Sequence, residues 1–302
     1  MRKGVIAIMG ATGSGKSALA MKLAEKFSGE LISADSAQVY CGADIGTAKP
    51  TLEEMARIPH HLVNIRTLKE GFSLADFMSL CDMKVKEIWA REHLPIIVGG
   101  TGLYVRGYLE GYTLIDAPPD PALRQELSEM PIEALMDELR AKDPEAAAAI
   151  DSCNKRRVVR AVEVMRQSGR PFSECSKRNP KSFPVLKLGM SIEREKLCQR
   201  IDKRLERMLK DGWLEEVRRL CQEGFAEDLR RLRILGYPEL IEVCEGKRSI
   251  EEAAEEIAML TKRFAKRQAT WLRSERELQQ VRAENAEAEA IEALESFLAD
   301  NN

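Results

Sequence analysis

Gly10-Ala11-Thr12-Gly13-Ser14-Gly15-Lys16-Ser17 meets the spacing G-x-x-x-x-G-K-[ST] at every fixed position. Glycines in such a run let the backbone wrap closely round a phosphate. A helix starting behind it adds unpaired N–H donors and a positive dipole end. Lys16 contributes a point charge, and the Ser17 hydroxyl suits Mg2+. The run is predicted to hold a diphosphate or a triphosphate, and the motif alone does not choose between them. A nucleotide hydrolase normally carries a metal-holding acid at the end of a neighbouring apolar strand. Here the strongest such strand, Ile96-Ile97-Val98, runs into Gly99-Gly100-Thr101-Gly102 with no acid. That leaves room for a cradle that binds a diphosphate without hydrolysing ATP.

Asp35 closes a second apolar run, Glu30-Leu31-Ile32-Ser33-Ala34, and so points to the sheet edge where the phosphate loop also lies. A carboxylate there can act as a general base or hold a metal's water shell; an isolated Asp reads equally as a turn or N-cap residue. Arg200 and Arg204 are four apart and share a helix face. That face either reaches the phosphates or is a salt-bridged surface. Lys155 to Lys181 carries nine Lys/Arg against Glu163 and Glu174, whereas Ala283 to the end carries six acids and no base. A basic stretch beside an acidic tail suits a polyanion site with a solvated terminus, or a helix with a charged outer face. His60 and His61 are adjacent, so their side chains diverge, and a packed or hydrogen-bonded pair is expected rather than a metal site. Trp213 and Trp271 sit at core-like helical spacing.

These groups need a frame. Gly4-Val5-Ile6-Ala7-Ile8-Met9, Glu30 to Ala34, Leu94 to Val98 and Val185 to Met190 read as strands of a parallel sheet, separated by helical spacing. The expected class is α/β: a P-loop NTPase-like parallel sheet flanked by helices. The core spans 1–115 and 183–302 and ends in C-terminal helices. A helical insertion over 116–182 is marked by Pro118, Pro119 and Pro121, then a wholly helical run from Pro131 to Gln167. The Glu/Ala-rich end is expected to be a frayed, solvated helix with no chemical role. With 302 residues, 44% hydrophobic and 32% charged, at net charge −2, the chain has ample core material. Seven cysteines with no Cys-x-x-Cys pair fit a reducing compartment. The first strand starts within five residues, and nowhere do about 18 apolar residues run together. The expectation is a soluble, cytoplasmic protein with no membrane partner.

Asp35-Ser36-Ala37-Gln38-Val39-Tyr40, continued by Gly42 to Pro50, closely resembles the signature of bacterial tRNA dimethylallyltransferases. So do Pro59 to Ile65, Phe72 to Phe77, Pro95 to Tyr104, Arg157 to Val164, Leu235-Gly236-Tyr237 and Thr261 to Arg273. The resemblance spans about residues 4 to 273. It implies that the loop Gly10, Ala11, Thr12, Gly13, Ser14, Gly15, Lys16 and Ser17 holds dimethylallyl diphosphate. The acceptor it implies is N6 of the adenosine 3′ of the anticodon in tRNA. Lys16 and Mg2+ near Ser17 would neutralise the leaving diphosphate, with Arg200 and Arg204 in reach of it. Asp35 would be the base and Thr101 would touch both diphosphate and nucleotide. Asp35, Ser36, Ala37 and Gln38 would read a flipped adenine. Arg156, Arg157 and Arg160, with Arg124 at the head of the insertion, would grip the anticodon stem-loop. A monomer is expected. Two departures are small: the family's loop commonly reads Gly-Pro-Thr-Ala-Ser-Gly-Lys, where Ala11 and Gly13 stand here. Eukaryotic relatives can add a zinc finger, for which this chain has no Cys-x-x-Cys. A P-loop small-molecule or nucleotide kinase, an adenylate isopentenyltransferase and a non-catalytic RNA binder are the rival readings. The Asp-Ser-x-Gln run, the basic insertion and the intact loop respectively argue against them.

Overall fold

Val5–Met9 (β1) is wholly buried, as a run of β-branched residues without polar alternation demands in a strand covered on both faces. The computed structural model describes residues 4–113, 120–175 and 177–301. After β1 come α1 (Lys16–Lys26), β2 (Gly29–Ser33), α2 (Leu52–Arg57), β3 (His60–His61), α3 (Leu74–Ala90), β4 (Leu94–Gly99) and α4 (Gly102–Leu109). The chain returns with β5 (Val185–Ser191), α10 (Arg194–Lys210), α11 (Trp213–Gln222), α12 (Ala226–Leu232), α13 (Tyr237–Cys244) and α14 (Ile250–Arg273). It ends with β6 (Leu278–Arg282) and α15 (Ala286–Asp300). The six strands form one sheet in the order β3-β2-β4-β1-β5-β6, and every pairing is parallel. All carboxyl ends therefore share one edge, so the segments after β1, β2 and β4 open onto the same crevice.

Leu109–Lys181 form a separate compact unit, with α5 (Pro121–Glu129), α6 (Ile132–Lys142), α7 (Pro144–Ala149), α8 (Lys155–Ser168) and α9 (Phe172–Cys175). Leu127, Leu135, Leu139, Val158 and Val162 are fully buried at its centre. Asp116, Pro118 and Pro119 lie outside the described residues. The run expected to be wholly helical from Pro131 to Gln167 consists of three helices with breaks at Asp143 and before Lys155. Asp143 caps α7, accepting the Ala146 N–H at 3.0 Å and the Ser173 N–H at 2.7 Å. Asn154 caps α8 through the Arg157 N–H. Short polar side chains that compete for backbone donors end helices.

Two strands escaped the sequence reading. β3 has only two residues, and in β6 only Val281 is fully buried, so neither carries a long apolar run. The terminal helix also differs from expectation. Ala286, Ala290, Ala293 and Leu294 of α15 pack into the same core as Leu19, Leu23 and Ile6. Spacings of three and four place these residues on one stripe, which the intervening glutamates conceal. Lys26 pairs with Glu295 at 3.1 Å on the flank of that contact.

Glu30 organises the amino end of β2. It is 2% exposed, takes Arg91 Nε and Nη2 at 2.8 Å each, and meets His61 Nε2 at 2.6 Å and His93 Nδ1 at 2.7 Å. His60 turns its Nδ1 to the Ile58 carbonyl at 2.7 Å. Burial alone would raise the Glu30 pKa, but hydrogen bonds from Arg91, His61 and His93 outweigh it and hold the carboxyl at about 2. Glu30→Ala is expected to cost about 3 kcal/mol at neutral pH, because it strands Arg91 beside two histidines. A carboxyl with a depressed folded pKa stabilises above its unfolded value and loses that contribution as pH falls toward about 2. Thermal melts should thus show a wild-type advantage at about pH 7 that shrinks by about pH 3.

Candidate active site

The phosphate loop leaves β1 at Met9 and enters α1 through Gly15, the N-cap, whose φ of 99° lies in the left-handed region that strains any residue bearing a Cβ. No side chain caps this end of α1, so its N–H donors remain available to an anion. Half-buried Lys16 turns its Nζ back toward the Ala11 carbonyl at 3.4 Å. Burial pushes the Lys16 pKa down to about 8; the Asp35 carboxylate opposes that shift and Arg204 adds to it.

A stripe of cations on α10 faces the loop. Arg200 Nη1 donates to the Ser14 carbonyl at 3.1 Å, and Arg204 Nη1 approaches Thr12 Oγ1 at 3.5 Å. Of the two roles open to these arginines, the structure gives them the phosphate loop. Lys203 and Arg207 join them with Gly13, Gly15, Lys16 and Ser17 around a cavity of about 320 Å³. Burial, opposed by Asp35 and aided by Arg207, lowers the Arg204 pKa. None of these four α10 cations has a salt-bridge partner among the described residues, and Asp35 acts on Arg204 only from longer range. Sequence reading missed Lys203 and Arg207, although positions 200, 203, 204 and 207 form one helical stripe.

Asp35 follows β2 and Thr101 follows β4, both half-buried. Asp35 Oδ1 accepts the Ala37 N–H at 2.9 Å, which fixes the carboxylate by a local turn, and Oδ2 has no partner among the described residues. Thr101 donates its N–H to the Ala34 carbonyl at 3.2 Å, and its Oγ1 accepts the Ser36 N–H at 3.2 Å. The Thr101 hydroxyl hydrogen is left for a ligand. Asp35, Ser36, Ala37 and Thr101 border a mixed cavity of about 330 Å³ in which Leu205, Met208, Ile257 and Phe264 stand with Arg204, Arg233 and Arg267. Asp35 also borders a cavity of about 840 Å³ that contains Lys16 and Ser17.

Gln38, expected to read an adenine edge, lines the cavity that holds Lys16 and Asp35. Its Oε1 accepts the Ser33 hydroxyl at 2.8 Å and its Nε2 donates to the Ala48 carbonyl at 3.0 Å and the Thr47 carbonyl at 3.3 Å. The amide thus braces the 44–48 loop against Ser33. In the insertion, Arg124 and Arg160 both bind the fully buried Glu163, at 2.6 and 2.7 Å. Burial works to raise the Glu163 pKa, but hydrogen bonds from Arg124, Arg160 and the Asp120 N–H hold it low. Arg156 and Arg157 are exposed, with no ion-pair partner among the described residues. Trp213 is core, packed on Tyr237, whereas Trp271 is half-buried under the Arg106 guanidinium at 4.8 Å.

A loop for phosphates beside a carboxylate and a partly apolar alcove is a site for a phosphorylated carbon chain. The profile of the family described as IPP transferase matches residues 38–275. The chain belongs to this family. A tRNA dimethylallyltransferase from Thermomicrobium roseum is 44% identical over 277 residues, covering 90% of this chain and 84% of that relative. The full-length tRNA isopentenylpyrophosphate transferase of Bacillus halodurans superposes with a TM-score of 0.74 at 35% identity, covering 99% and 98% of the two chains. A eukaryotic dimethylallyltransferase acting on tRNA superposes with a TM-score of 0.85 at 29% identity, covering 99% of this chain and 80% of that one. The family profile begins at Gln38, after the phosphate loop, but these wider alignments span nearly the whole chain. As an IPP transferase, the chain has its phosphate cradle, carboxylate and partly apolar alcove on one sheet edge.

Proposed function

We propose that this chain transfers a dimethylallyl group from dimethylallyl diphosphate to N6 of the adenosine 3′ of the anticodon in tRNA. What carries this reading is that Asp35 borders both the cavity that holds Lys16 and Ser17 and the one that Thr101 shares with Leu205, Met208, Ile257 and Phe264. The diphosphate lies on the loop N–H groups against Lys16, Arg200 and Arg204, which stabilise the charge that develops as the carbon–oxygen bond breaks. The five-carbon chain occupies the apolar side. The adenine, taken out of its stack, lies against Asp35, Ser36 and Ala37, and its N6 attacks the allylic carbon while a proton passes to the free Asp35 oxygen. Thr101 donates its hydroxyl hydrogen to the diphosphate or the nucleotide.

The donor set fits Mg2+. Ser17 and Asp35 border one cavity, and no group of three His, Cys, Asp or Glu stands together among the described residues. A cation held by one or two protein oxygens takes its other ligands from diphosphate and water, which is the habit of Mg2+. When bound, it neutralises charge on the departing diphosphate. The seven cysteines, none in a Cys-x-x-Cys pair, suit a reducing cytoplasm.

The test is nucleoside mass spectrometry on an anticodon stem-loop with adenosine after the anticodon, incubated with dimethylallyl diphosphate and Mg2+. AMP serves as a competing acceptor. One isopentenyl unit on the stem-loop adenosine supports the proposal; product on AMP alone indicates a free-nucleotide enzyme. Phosphoryl transfer from ATP with no prenylated RNA indicates a kinase. Arg156 and Arg157 are proposed to contact RNA phosphates. Their double alanine variant should weaken stem-loop binding about tenfold and reduce the salt slope by about 2, with AMP chemistry untouched.

A further inference from the structure

Gln268, on α14, reaches across the site to two backbone groups. Its Oε1 accepts the Thr12 N–H at 2.8 Å, and its Nε2 donates to the Gly100 carbonyl at 3.0 Å. Thr12 belongs to the phosphate loop after β1, and Gly100 immediately precedes Thr101 after β4. The β1–β4 ladder holds these two segments together only as far as the Met9–Gly99 pair. Beyond that pair the ladder ends, and the planar Gln268 amide bonds to both segments. The amide sits directly on Gly100: a Cβ there would lie 2.2 Å from Gln268 Nε2, so a side chain at 100 must displace the amide.

We infer that Gln268 is a positioning residue for prenyl transfer. It locks the phosphate loop to the Thr101 turn, so that leaving diphosphate, Thr101 hydroxyl and Asp35 keep one register. Anchoring α14 does not require it, because Ile257, Ala253 and Ala265 are buried along the same helix. Gln268 touches neither reacting atom in this role; it acts through the two backbones it joins. The inference rests on the prenyl-transfer reading above.

Gln268→Ala and Gln268→Glu test it. For Gln268→Ala, kcat on the stem-loop is expected to fall by about 10 to 100-fold, the scale of a misplacement near 1 Å. Stem-loop affinity should stay within about twofold and the melting midpoint within a few degrees. Gln268→Glu supplies a signature that a packing role does not have. When protonated, the carboxylic acid keeps an acceptor for the Thr12 N–H and a donor for the Gly100 carbonyl; when ionised, it loses the donor and repels the carbonyl. Its kcat relative to wild type should therefore rise as pH falls and the carboxyl takes up its proton; the Gly100 carbonyl raises that pKa, while Lys16, Arg204 and Arg207, which line the same cavity, lower it. Gly100→Ala, which pushes the amide from the other side, should share the kcat loss. The clamp is overturned by a Gln268→Ala enzyme at the wild-type rate, or by a loss confined to stem-loop affinity. A Gln268→Glu enzyme at the wild-type rate across the pH range also overturns it. An inactive wild type overturns the prenyl-transfer reading and the clamp with it, so the two failures are distinct.

Discussion

Asp35→Ala is expected to slow single-turnover prenyl transfer by about 10² to 10⁴-fold, the range for removing a positioned base, while stem-loop binding stays within about threefold. The exocyclic amine of adenine is a weak nucleophile because its lone pair is shared with the ring, so its proton must leave as the new bond forms. Asp35 offers one free oxygen for that proton, the other being held by the Ala37 N–H. Asp35→Asn preserves that local turn and the shape of the cavity, and should be as slow as Asp35→Ala. The carboxylate is also the charge that keeps the Lys16 ammonium protonated against burial. Without it the Lys16 pKa drops further, so the alkaline limb of the Asp35→Asn profile should move below that of wild type. Rapid quench of labelled donor on the stem-loop measures both effects. A rate within tenfold of wild type would remove Asp35 from the proton transfer.

Lys16→Ala should lower kcat/KM for dimethylallyl diphosphate by about 10² to 10³-fold, the cost of deleting one preorganised charge at a developing anion. The wild-type enzyme should show the same dependence through pH. Burial holds the free-enzyme Lys16 pKa at about 8. The cation is therefore present below that pH and lost above it. Since kcat/KM follows the free enzyme, it should be flat at lower pH and fall as pH rises through about 8. Bound diphosphate favours the ammonium and raises its pKa, so kcat itself should hold to higher pH than kcat/KM. Initial rates across a pH series at limiting and saturating donor separate the two curves. A kcat/KM that keeps rising well above pH 8 would show that neutral Lys16 suffices.

The cradle was legible because everything it needs is contiguous. Gly10 to Ser17 specify a turn and a helix start whose backbone donors point one way, whatever packs around them. The buried strands β1, β2, β4 and β5 were legible for the same reason, since an apolar run of five or six residues bounded by polar ones has few other homes. Asp35 was readable from its place at a strand end. The faint strands β3 and β6 were not, because edge strands bury little and show no run. The terminal helix misled because its glutamates dominate composition while a stripe of alanines and Leu294 does the packing.

Sequence by itself thus determined the phosphate loop, the parallel α/β frame, the helical insertion and the acid beside the cradle, each written in local spacing. Tertiary structure alone decided how the polar side chains are spent. Gln38 bonds to the 44–48 loop, and Arg124 and Arg160 pair with Glu163. Arg200 and Arg204 turn to the loop rather than to surface acids, and Gln268 closes on Thr12 from 256 residues away. The physical reason is one of range. Periodicity encodes which face of an element is buried, whereas a hydrogen bond's partner depends on which strands become neighbours and how far their ends diverge.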